Sequence, residues 1–257
     1  MSLVVTTKLL AGPLVIAGAS LAGKRWGPTA AGLIGGLPLI ASCVITTLWL
    51  AYGKDYAMHT AASAPAGLWA NCVYMLTLGY SSRYLGWAGM LACGWAAYLL
   101  TAWALAASGL AQQMWVCVSA LPALLLSVPL LPKPAGPPVP APLPRIELAA
   151  RMLVAFALVA GLTTLSQTLG STLTGVMSGG PVVATVIPAF TQAKGERNTL
   201  LFQLRGFLVG LVGFGLSFLL LVPLADVMGA WAAIPAALLA MSSSLALTWI
   251  SRRWARR

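Results

Sequence analysis

The chain has 257 residues, of which 60% are hydrophobic and 7% charged, with a formal net charge of +11. Soluble domains carry about 25% charged residues, so four acids and fifteen bases cannot wet a soluble surface of this size. A nucleic-acid interface is excluded as well, because the bases fall between the apolar segments, where membrane topology needs them.

The apolar stretches approach 20 residues, the length of helical spans and not of barrel strands of about ten. The expected class is an all-α integral membrane protein. Four cysteines, Cys43, Cys72, Cys93 and Cys117, stand singly in apolar stretches without CxxC spacing. They predict neither a metal site nor a disulfide. One histidine and four acids leave too few ligands for a buried metal cluster, and no cofactor is expected.

Span 1 is predicted over about 4–22. It has the look of a signal peptide, with Lys8 and a small-residue end, but the repeat described below pairs it with 151–167 and makes it a retained span. Span 2 covers about 28–52 and is broken by GGLP at Gly35 to Pro38. After a polar turn at Gly53 to Asp55, span 3 runs over about 58–79 and carries Asn71. Span 4 covers about 86–108, and span 5 about 112–131 with Pro122 and Pro129 inside.

Pro132 to Arg145 reads PKPAGPPVPAPLPR. Prolines at that density favour the extended polyproline II form, whose rise of about 3.1 Å per residue lets the segment reach roughly 40 Å. It serves as a linker across one face; the other reading is a ligand for a PxxP-binding partner. Span 6 covers about 147–167. Span 7, about 171–192, is broken by SGGP and contains Pro188. A charged loop at 193–198 leads to span 8, about 200–222, and a turn at Pro223 to Gly229 leads to span 9, about 230–250.

An offset of 143 residues superimposes landmarks without a gap. Gly18 falls on Gly161, Gly27 on Gly170, Gly32 on Gly175, Gly36 on Gly179, Pro38 on Pro181, Gly67 on Gly210, Gly86 on Gly229 and Lys8 on Arg151. The chain reads as a first repeat at 1–108, a linking span and Pro-rich loop at 109–146, and a second repeat with a basic tail at 147–257. That is about nine transmembrane helices, with two four-helix repeats joined by a linking helix. Because the linking span is odd, the repeats have inverted topology, a recurrent build of secondary transporters.

The charges test this orientation. With the C-terminal arginines in the cytoplasm, nine spans place Lys24, Arg25, Arg83, Lys133, Arg145, Lys194 and Arg197 there too, and leave Lys8 and Lys54 outside. The expectation is a bacterial inner-membrane protein with its N-terminus outside. Trp26, Trp49, Trp87, Trp115, Trp231, Trp249 and Trp254 fall near span ends as interfacial belts. His59, at the outer end of span 3, reads as interfacial, with a pH sensor as the alternative.

Interrupted spans at matching positions of two halves point to a transport site. A break frees backbone N–H and C=O groups, which lipid cannot satisfy, so both breaks should lie inside the protein near the midplane. No acid lies in mid-span, which disfavours a cation relay. Helix starts after Pro38 and Pro181 offer free N–H groups to an anion or a polar acceptor. The candidate substrate-binding residues are Gly35, Gly36, Pro38, Ser42, Asn71, Thr174, Ser178, Gly179, Gly180, Pro181, Thr185, Gln203 and Arg205. Arg205 reads either as a cation snorkelling to headgroups or as a gate for an anionic solute. Gly206 and Gly210 form a small-residue packing face.

These features predict a secondary-type transporter of a small or amphipathic solute, anionic or neutral in preference to cationic, working by alternating access. The alternatives are a channel or facilitator for a small solute and a flippase-like lipid-handling protein. An enzyme is not expected, since the chain has no paired acids, HExxH or GxSxG. The expected partners are membrane lipids and a small-molecule solute; oligomeric state and protein partners stay open.

Overall fold

The computed structural model describes residues 3–138, 143–166, 175–177 and 180–254. Among them the chain is helical throughout, with no strand. The helices are α1 Leu3–Trp26, α2 Pro28–Gly35, α3 Leu39–Tyr52, α4 Lys54–Ser63, α5 Gly67–Ser81, α6 Trp87–Ala107, α7 Met114–Leu130, α8 Arg145–Ser166, α9 Val182–Ala193, α10 Arg197–Met228 and α11 Ala233–Trp254. Helix α6, α10 and the segment Gly175–Ala193 that contains α9 are long and apolar enough to cross a membrane.

Three expectations need correction. Span 3 is not continuous: it divides into α4 and α5 at Ala64–Ala66. Pro65 has no N–H to donate and its ring crowds the preceding turn. The chain tightens there into short turns, with Ala64 N donating to Ala61 O at 3.2 Å and Leu68 N to Pro65 O at 3.1 Å. The turn predicted at Pro223 is also absent, because α10 continues through it for 32 residues and ends at Gly229, where φ is +59°. A proline inside an apolar helix forfeits one hydrogen bond, a loss that neighbouring helices make tolerable. Asp226 accordingly sits in the last turn of a helix and not in a loop.

Helix α10 is the spine, packing on α2, α7 and α11, while α1 packs on α2 and α8, and α5 on α6. The bundle has a basic end and a far end. Lys194 reaches Glu147, Arg197 reaches Ser82, and Asn198 accepts from Ala135 N, all at the basic end. Lys54 pairs with Asp226 at 3.0 Å at the far end. His59 stands near Gln112 there, exposed.

Helices α2 and α10 touch backbone to backbone. A Cβ on Gly206 would strike the Thr29 carbonyl, and one on Gly210 would strike the Leu33 carbonyl and Gly36 Cα. Neither obstacle is the end of a flexible side chain, so the helices would have to part. Gly210→Ala should cost about 1–3 kcal/mol and lower the melting temperature of the detergent-solubilised protein by several degrees. Gly18→Ala, with nothing within 4 Å, should lower it not at all, since Ala is the better helix former. Equal effects would show that the contact does not hold the bundle.

Candidate functional site

The two chain breaks share one local geometry. Pro38 has φ −75° and ψ 27°, and Pro181 has φ −77° and ψ 50°. Before them, Leu37 N donates to Ile34 O at 3.2 Å and Gly180 N to Met177 O at 2.8 Å. Across them, Leu39 N donates to Leu37 O and Val182 N to Gly180 O, both at 2.8 Å. Each pair of donors is 143 residues apart, as are the starts of α3 and α9 and of α4 and α10.

The same offset governs the packing around the breaks, with the roles exchanged. Gly32 lies against the Gln203 carbonyl, and Gly175 against the Thr60 carbonyl. Gly210 lies against the Leu33 carbonyl, and Gly67 against the Val176 carbonyl. The residues before the first break therefore touch α10, and those before the second touch α4 and α5, at positions 143 residues apart. Such reciprocal contacts are what a two-fold-related interface produces.

Between the breaks lies a cavity of about 30 Å³, lined by Gly35, Gly36, Gly180 and Pro181 with Asn71 and Phe214. That volume admits about one water, and a solute would need it to widen. Asn71 is buried, and its Nδ2 donates to Gly67 O at 3.2 Å.

A second cavity of about 320 Å³ opens at the basic end among α1, α2, α8, α9 and α10. Its inner wall includes Ala31, Ile187 and Gln203. Gly35, Val183 and Phe207, each one helical turn further along the same helices, line the central cavity. One layer of side chains therefore separates the two spaces. The Phe207 ring and Val183 crowd the position a Gly35 Cβ would take, and Phe207 is buried.

The vestibule carries an ion cluster. Glu147 Oε1 meets Arg151 Nη2 at 2.6 Å, and its Oε2 meets Lys194 Nζ at 2.6 Å. Arg151 is 7% exposed, donates to Ser20 Oγ at 3.3 Å and lies over the Phe190 ring at 5.3 Å. One carboxylate thus serves two cations: it joins α8 to Lys194, just past the end of α9, and Arg151 joins α8 to Ser20 on α1. Lys24 and Glu196 line the same space. Sequence reasoning passed over Glu147; its spacing of four from Arg151 on a helix was the available signal.

The other candidates disperse. Gln203 lines the vestibule, buried, and its Oε1 has no partner among the described residues. Thr185 belongs to a lock, donating to Pro181 O at 2.6 Å, bonding Tyr74 OH at 2.9 Å and accepting from Trp95 Nε1 at 3.1 Å. Pro38 and Ser42 line a third, apolar space at the far end. Arg205 lines none of these three spaces; its Nη2 donates to the Leu131 and Pro132 carbonyls at 3.2 and 3.1 Å, capping the end of α7. Thr174, Ser178 and Gly179 lie outside the described residues. Among the described residues no cluster of His, Cys, Asp or Glu could hold a metal.

Comparison with family models, with curated proteins and with solved structures returns no match.

The ion trio generates a stability prediction. Glu147→Gln leaves the buried Arg151 without its counter-charge at the edge of an open cavity, a loss of about 1–3 kcal/mol. The melting temperature should fall sharply. Adding Arg151→Met removes the stranded charge and should recover most of the loss. A single variant that melts like the parent would show that the trio does not hold the basic end.

Proposed function

We propose that this protein is a membrane-embedded secondary carrier of a small anionic or neutral solute, built from two inverted four-helix repeats of nine spans in all. The observation that carries the reading is the meeting of two equivalent chain breaks at one cavity, one side-chain layer from a vestibule that carries an ion cluster. Interrupted helices at matching positions are how carriers place freed backbone groups around a solute.

The reciprocal contacts at the 143-residue offset support two repeats. The gathering of basic residues at one end supports an orientation with that end in the cytoplasm and the N-terminus outside, in a bacterial inner membrane. On this reading the vestibule is the cytoplasmic mouth, and Phe207 with Val183 forms the closed inner layer. Alternating access rocks one repeat against the other and moves that layer.

The charge preference follows from the lining. Glu147 is shared by Arg151 and Lys194, a trio with one positive charge in excess, while Lys24 and Glu196 on the same lining balance each other in sign. All four acids of the chain lie at helix ends and none in mid-helix, so a cation has no carboxylate to follow inward. The sequence has no paired acids, HExxH or GxSxG, which favours a carrier over an enzyme.

The test is a thermal-shift screen of the purified protein against organic anions and neutral metabolites. A ligand at a hundred times its dissociation constant stabilises by about 2.7 kcal/mol, a visible rise in melting temperature. The expected result is a hit that is lost in the double variant Gly180→Leu, Pro181→Ala, which mends the second break while leaving the protein folded in the membrane. Uptake of the hit into proteoliposomes should vanish in the same variant. Uptake that survives the repair would overturn the reading, because the breaks would then be packing devices.

A further inference from the structure

The third space is a groove of about 600 Å³ at the far end, walled by α3, α10 and α11. Its lining is almost wholly apolar, and two of its hydroxyls turn back onto their own helices. Ser217 Oγ donates to Phe214 O at 2.8 Å, and Thr46 Oγ1 to Ser42 O at 2.9 Å. Leu238 and Met241 on its α11 wall are 62% and 51% exposed, so the groove opens sideways.

The 143-residue offset identifies what fills the equivalent place in the other half. Ser42 corresponds to Thr185, Ser217 to Tyr74, Leu238 to Trp95 and Met241 to Tyr98. There the three aromatic rings stand edge to face, with centroids 5.5 to 6.2 Å apart, and Thr185 ties Tyr74 and Trp95 together. Tyr74 and Tyr98 are fully buried, and α9 packs on α6. In the groove, serine, leucine and methionine take the aromatic positions, and α3 makes no extended contact with α11. One half carries its own filling; the other lacks it.

We propose that the groove is a lateral binding site for an acyl chain of a bilayer phospholipid. An apolar space open at membrane depth stays dry and takes hydrocarbon, and the bilayer supplies hydrocarbon chains on all sides. The groove reaches Met58 and Gly229 at the far end. The Lys54–Asp226 ion pair lies about one turn beyond, at the level of the headgroup. The chain therefore comes from the far-end leaflet and takes the place held by three aromatic rings in the other half. The proposal rests on the membrane setting and on the 143-residue equivalence, and not on the identity of any solute.

The test uses the full-length protein in vesicles of phosphatidylethanolamine and phosphatidylglycerol, with a trace of phosphatidylcholine bearing a diazirine in its acyl chain. After irradiation, labelled peptides are mapped by mass spectrometry. The account predicts labelling of the 38–49 and 233–241 peptides several-fold above that of Leu99–Trp103, an exposed apolar stretch of α6. In the variant Ser217→Tyr, Leu238→Trp, Met241→Tyr, labelling of 38–49 should fall to the α6 level. Should that variant not fold, Leu238→Trp alone should reduce it part of the way. Equal labelling of the groove and α6 in the parent protein, or unchanged labelling in a folded filled variant, would overturn the proposal. The readout needs no solute, so a failed uptake assay leaves it intact.

Discussion

Backbone meeting backbone is the constraint on which the rest depends. In lipid, apolar side chains gain nothing from leaving the solvent, so helices associate through close packing and satisfied polar groups. At Gly32, Gly206 and Gly210 the helix before the first break lies directly on α10, and at Gly67 and Gly175 the second half repeats the arrangement. A side chain at any of these positions would push the short helices outward. The breaks would then separate, and their freed N–H and C=O groups would face lipid without partners. The close approach of these helices rests on five positions that have no side chain.

The two halves are alike at the breaks and unlike beyond them. Toward the basic end, Thr185 and three aromatic rings clamp α9 to α6. Toward the far end the same interface is an open groove. The difference is written in side-chain size, since Ser217 cannot replace the Tyr74 ring. The far groove therefore needs an occupant from outside the chain to match the other half.

Much of this was legible in the sequence. The 143-residue offset was visible in glycines and one proline, and of those Gly32, Gly36, Gly67, Gly175 and Gly210 proved to be contact points, because only glycine fits where another backbone approaches so closely, whereas Gly18, Gly27, Gly86, Gly161 and Gly229 meet nothing within 4 Å. The break positions followed from the same residues. Other features were not legible. Ala64–Pro65–Ala66 is small and apolar, and Pro188 and Pro223 are equally apolar in context, yet the first breaks its helix and the others do not. Proline alone does not say whether neighbours will satisfy the carbonyl it frees. Arg205 read as a candidate gate because its position in mid-helix was visible and its partner was not. The carbonyls of Leu131 and Pro132 reach it only when α7 packs on α10. Nothing in the sequence marked Tyr74, Trp95 and Tyr98 as a cluster; only the fold brings Tyr74 and Trp95 to Thr185 and Tyr98 to the Val176 carbonyl.

The central claim is that equivalent positions of the two halves face opposite sides of a membrane. Arg83 and Asp226 are 143 residues apart, exposed, and free of the cavities described above. In a background with the native cysteines replaced, Arg83→Cys and Asp226→Cys would be labelled with a membrane-impermeant maleimide, in intact cells and in inverted vesicles. The account predicts that the thiol at 226 reacts in cells and the thiol at 83 only in inverted vesicles. Reaction of both from the same side would contradict the inverted arrangement, and with it the carrier built on it.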